Sequence, residues 1–175
     1  MRKSSVIDWD RARLEKFHLS EKHAKMTYRA PRLSGGAFTQ YVEKVDTLLV
    51  SPHYDLLGAL EALRPIVCRF MRWPAETDEE LESVRVTGIE VDWVSDVDYY
   101  VAFRFIYRPP IGGEMELTRS VFLWRSGGLV NSLLDGERED VERLLDEILA
   151  YAARTKTGRA DFFDNMPAEA SIEPN

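Results

Sequence analysis

Between residues 84 and 124 apolar and polar side chains alternate in three successive runs, and no other feature restricts the fold as strongly. Side chains along a strand point to opposite faces in turn, so a period of two predicts β-structure. The runs are Val84–Trp93, Tyr99–Tyr107 and Met115–Trp124, each rich in β-branched and aromatic residues. In the middle run Tyr99, Val101, Phe103, Phe105 and Tyr107 share one face, expected to lie on the core. Tyr100, Ala102, Arg104, Ile106 and Arg108 share the other, expected to meet solvent or a partner. In the first run the apolar parity changes at Gly88, from Val84 and Val86 to Ile89, Val91 and Trp93. A one-residue insertion restores a common face, so the pattern predicts a β-bulge at the glycine.

Two helical stripes flank this meander. Ser51-Pro52 is a helix start, followed by Leu56, Leu60, Leu63 and Val67 at helical spacing, with Leu57 and Phe70 beside them. Pro65 falls inside that stripe and is expected to kink the helix or end it early. Near the C-terminus Val141, Leu144, Leu145, Ile148, Leu149 and Ala152 form the second stripe, with acidic residues at its start and Gly158 as a C-cap. Residues 76–82 are an acidic connector whose expected role is solvation. Upstream, Lys25–Ala30 and Ala37–Val45 read as two strands of a hairpin across the breaker-rich Pro31–Gly36. Residues 8–23, around Trp9, Leu14 and Phe17, read as one short helix.

The order is β-β-α-β-β-β-α, an α+β fold with a mainly antiparallel sheet packed by two helices. One domain is expected over residues 1–158, with a basic N-terminal segment (1–24), followed by a flexible tail at 159–175.

Charge is unevenly spread. The chain carries −7 in all, yet residues 1–44 hold ten Lys/Arg against five Asp/Glu, and residues 45–175 thirteen against twenty-five. The acidic body is expected to repel nucleic acid, and the N-terminal quarter is not. No apolar run approaches the ~20 residues of a membrane span, and the N-terminus has no apolar signal core. The single cysteine, Cys68, cannot form an internal disulfide, which fits a reducing cytosol, and its helical apolar setting marks it as a core residue.

Phosphate-binding, nucleotide-binding, nucleophile-elbow and zinc-protease signatures are all missing. His18, His23 and His53 do not make a zinc set with one cysteine, so neither a catalytic residue nor a cofactor is assigned. Two constellations remain. Glu90, Asp92, Asp96 and Asp98 gather at the first hairpin of the meander, where converging carboxylates hold Mg²⁺ or merely solvate a strand and its turn. Tyr100, Arg104 and Arg108, with Trp124 from the third strand, offer rings and guanidinium groups on one sheet face. Such a face stacks bases and holds phosphates, or is a second small core under the N-terminal segment.

The helix motif of residues 51–63, the strand segment Val86-Thr-Gly-Ile89, and a late helix ending near Gly158 before Ala160-Asp-Phe-Phe163 resemble small proteins of tailed bacteriophages and prophages. The likeness spans most of residues 25–163. It implies a setting among phage replication or recombination genes rather than a reaction. The ending resembles the Gln-x-x-Leu-Phe-like peptides that partners insert into the bacterial sliding clamp. Arg159 stands in place of the glutamine and Phe162 in place of the leucine, Asp161 lies between, and Phe163 keeps the aromatic anchor. Two adjacent phenylalanines equally suit a cap folded back on the body. The expectation is a non-enzymatic accessory protein that binds the sliding clamp or another replication protein through its C-terminal peptide. Single-stranded DNA binding through the sheet face is the alternative, and a metal-dependent enzyme the second alternative.

Overall fold

The computed structural model describes residues 6–21, 23–48, 54–109, 112–122 and 133–157. Among these residues seven strands form one sheet: β1 (Val6–Ile7), β2 (Arg13–Leu19), β3 (His23–Ser34), β4 (Ala37–Leu48), β5 (Val84–Trp93), β6 (Tyr99–Tyr107) and β7 (Met115–Phe122). Among the described residues four helices accompany them: α1 (Tyr54–Glu61), α2 (Arg64–Met71), α3 (Asp78–Glu82) and α4 (Asp135–Thr157). Every strand pairing is antiparallel. β4 takes one edge of β3, while β1 and β2 share the other, separated by a 3-10 turn at Trp9–Arg11. The sheet then runs through β2, β5 and β6 to β7. This is the expected α+β class, with the meander as one half of the sheet.

The N-terminal segment corrects the expectation. Where one helix was expected over residues 8–23, the described residues 8–21 and His23 form strands and turns. Leu14 and Phe17 are both buried, three positions apart, which mimics helical spacing. The cause is a bulge: Leu14 pairs with Tyr28 and Lys16 with Thr27, so Glu15 is an extra residue and the inward parity changes after it.

The Gly88 bulge is present. Val86 pairs with Phe105 and Gly88 with Arg104, leaving Thr87 as the extra residue. Val84, Val86, Ile89 and Val91 all turn inward as a result. Only glycine fits there, because a Cβ at residue 88 would lie 2.5 Å from the Phe17 carbonyl oxygen on neighbouring β2. The β3–β4 hairpin turns on Gly35 and Gly36, with φ of +63° and +87°, the left-handed pair that a two-residue hairpin loop requires.

Pro65 ends a helix as expected. The stripe is broken into α1 and α2 around Ala62 and Leu63, and Pro65 sits in the first turn of α2, where no N–H is needed. The anticipated start at Ser51-Pro52 lies outside the described residues. The acidic connector folds into α3 under a capping box: the Glu80 amide donates to Thr77 Oγ1, and the Thr77 amide donates to Glu80 Oε2.

The helices pack on one face of the sheet. α1 meets α4, and α1, α2 and α4 reach β5 or β2 beneath them. Leu56, Leu60, Leu63 and Val67 join Val141, Leu144, Leu145 and Ile148 in one core with Phe17, Ile89, Phe103 and Phe105. Trp73, after α2, stacks on Tyr107 at 4.0 Å and meets Phe105 edge-on at 5.9 Å. Arg69 of α2 clasps Glu137 at the start of α4, with Nε 2.6 Å from Oε1. Among the described residues no helix is long and apolar enough to cross a membrane.

Candidate binding site on the open sheet face

Because every helix lies on one side, the other face of the sheet is left open among the described residues. Its outward side chains come from the parity opposite to the core. They are Arg29 on β3, Arg13, Lys16 and His18 on β2, Glu90 and Asp92 on β5, and Tyr100, Ala102 and Arg104 on β6. The face forms a groove of about 1110 Å³ that runs from the 3-10 turn and Gln40 of β4 to Tyr100 of β6.

Charges in the groove are largely paired across strands. Arg29 Nη2 lies 2.9 Å from Glu15 Oε1, Lys16 Nζ 2.6 Å from Glu90 Oε1, and Arg13 Nη2 3.4 Å from Asp96 Oδ1. Each exposed pair contributes only about 0–1 kcal/mol to stability. Their larger effect is to make the floor electrically mixed. Trp93 closes one end: its Nε1 donates to the Leu14 carbonyl at 2.8 Å, and the Arg13 guanidinium lies over its ring at 4.7 Å. Arg11 borders the groove beside the Phe38 ring at 5.0 Å. It also binds Asp8 at 2.6 Å, and that hydrogen bond holds the Asp8 carboxyl below the usual aspartate value.

The residues singled out from the sequence fall into three groups. Tyr100 lines the groove, and Arg104 shares its face four residues along β6. Arg108 does not join them: it lies just beyond β6, exposed and ion-paired with Glu114. Trp124, Arg159, Asp161, Phe162 and Phe163 lie outside the described residues. The carboxylates do not converge as a metal cage. Glu90 is held by Lys16, Asp96 by Arg13, and Asp98 accepts from Ser95 Oγ at 3.4 Å within the turn. Asp92 stays exposed opposite Tyr100. Among the described residues no group of three or more His, Cys, Asp or Glu is placed to hold a metal. His23 is instead 3.0 Å from Asp46 on β4.

Two buried groups are unsuited to proton transfer near neutral pH. Burial pushes the Cys68 thiol up, and burial pushes the Tyr99 phenol up to about 12. Both belong to the core.

Sequence reasoning missed Arg11, Arg13, Glu15, Arg29 and Trp93 as groove residues. The signal was present for Arg29, since Lys25, Thr27 and Arg29 alternate with buried Ala24, Met26 and Tyr28. It was hidden for Arg13 and Glu15 by the bulge in β2.

Fold and site together define an α+β protein with a single antiparallel sheet, helices on one face and a polar groove on the other. Neither a family model, a curated protein nor a solved structure matches the chain.

Proposed function

We propose that the protein acts by binding, as an accessory of phage DNA replication or recombination, and that it holds a polypeptide partner against the open face of its sheet. One observation carries the reading: a groove of about 1110 Å³ whose arginines already sit beside carboxylates. A surface of alternating sign with an aromatic at its end suits a polypeptide, which brings both charges and apolar side chains. It suits a phosphate backbone poorly, because binding there draws on unneutralised cations, and the body of the chain is acidic. The C-terminal Arg159–Phe163 peptide is a second contact in this reading, directed at the sliding clamp.

Single-stranded nucleic acid is the second reading, favoured by Tyr100 and the Arg13-covered ring of Trp93 in the same groove. A photo-crosslinking residue placed at Tyr100 separates the two. Tyr54, exposed on α1, is the control position. A discrete crosslinked polypeptide at residue 100 and none at residue 54 is expected. Crosslinks to single-stranded DNA at residue 100 transfer the function to the second reading. Equal crosslinking at both positions, or none at residue 100, overturns the groove as the binding surface.

A further inference from the structure

The groove ends at β4, which lies at the edge of the sheet formed by the described residues. Among the described residues it pairs only with β3, over its full twelve residues and without a bulge. Natural proteins blunt such edges with proline, lysine, bulges or short strands. Ala37–Val42 reads Ala-Phe-Thr-Gln-Tyr-Val, with none of these devices and no charge. Its large side chains are exposed: Phe38 by 53%, Tyr41 by 40% and Val42 by 53%.

The hydrogen-bond phase of this edge follows from the hairpin. A two-residue loop makes Ser34 and Ala37 a hydrogen-bonded pair, and the pairs alternate from there. Phe38, Gln40 and Val42 therefore turn their N–H and C=O groups away from β3. Pro31 agrees with this phase. It stands opposite Gln40, has no N–H to donate, and its carbonyl accepts from the Asp8 amide at 2.9 Å on the far side of β3.

We propose that β4 pairs antiparallel with β4 of a second copy, about a two-fold axis at Gln40. This register sets residues with outward-facing amides opposite one another. Phe38 meets Val42 of the second copy, Gln40 meets its own equivalent, and Val42 meets Phe38, giving about six interchain backbone hydrogen bonds. Thr39 meets Tyr41 on the helix side of the sheet. Each pair is chemically matched, and each exposed apolar side chain of the strand gains a neighbour. Self-complementarity of this kind is what a two-fold interface requires, and it selects a second copy over an unrelated strand. Lys44 and Asp46 stay outside the core of the pairing. The two grooves then lie on the same face of one continuous sheet, joined across Gln40. The inference rests on the edge strand and does not depend on what the groove binds.

The test is sedimentation equilibrium of the full chain from about 1 to about 200 µM, the span in which modest interfaces associate. The wild type is expected to move from monomer to dimer, with the amides of Phe38, Gln40 and Val42 gaining hydrogen-exchange protection as it does. Gln40→Pro is expected to be monomeric with unchanged circular dichroism, since it removes an outward N–H that β3 does not use. Val42→Lys, an edge charge of the kind natural sheets use, is expected to raise the dimer dissociation constant at least about tenfold. If Gln40→Pro fails to fold, Val42→Lys decides. A wild type that stays monomeric throughout, or a dimer that ignores both substitutions, overturns the proposal.

Discussion

Gly88 shows how one residue sets the geometry of a sheet. Its missing side chain lets β5 pass the Phe17 carbonyl, and the bulge beside it brings Ile89 and Val91 onto the same face as Val84 and Val86. Gly88→Ala puts a methyl group 2.5 Å from that backbone oxygen, so β2 and β5 must separate. A loss of about 1–3 kcal/mol is expected, as for other overpacked sites, measured by urea denaturation. Phe103 is fully buried in the middle of the core. Phe103→Ala is expected to cost about 3–5 kcal/mol in the same measurement. An unchanged midpoint for either variant contradicts the packing described. The two bulges differ instructively. The one in β5 is marked by a glycine and was legible. The one in β2 centres on Glu15, which no residue type marks, so Leu14 and Phe17 read as one helical face.

Within α4, burial and the Glu142 carboxylate one turn away raise the carboxyl of Asp146 above its ordinary 3.8. A carboxylate raised in the folded state binds its proton more tightly there than in the unfolded chain. Its contribution is unfavourable above the folded pKa and vanishes below the unfolded value. Asp146→Asn is therefore expected to raise the melting temperature at pH 7, and the gain should disappear below about pH 3.8. A wild type that melts at or above the variant at pH 7 refutes this. At the same scale, Pro65 made the break between α1 and α2 readable, because a proline in the first turn of α2 cannot extend a helix from before it. The short α3 was less readable. Its acidic run looks like a solvated connector until Thr77 and Glu80 are seen to cap one another's backbone.

For the whole molecule, the distribution of helices decides which surface is left for a partner. All four lie on one side, so the opposite face and the β4 edge are open among the described residues. The C-terminal peptide adds a prediction of its own. In the proposed function, Phe162→Ala with Phe163→Ala abolishes binding of purified sliding clamp in a surface-capture assay and leaves the melting temperature unchanged. Earlier melting of the double variant makes the two rings a structural cap instead. Local periodicity alone determined the α+β class, the meander, the core face of β6, the β3–β4 hairpin and the helix stop at Pro65. Those features depend on neighbours within a few residues. Tertiary structure alone decided that the N-terminal segment enters the sheet beside β5 and that Arg13, Arg29, Trp93 and Tyr100 share one groove. It also decided that β4 lies at the edge. Strand order is set by contacts between residues up to about eighty positions apart, such as Trp93 with Leu14, and no local pattern encodes them.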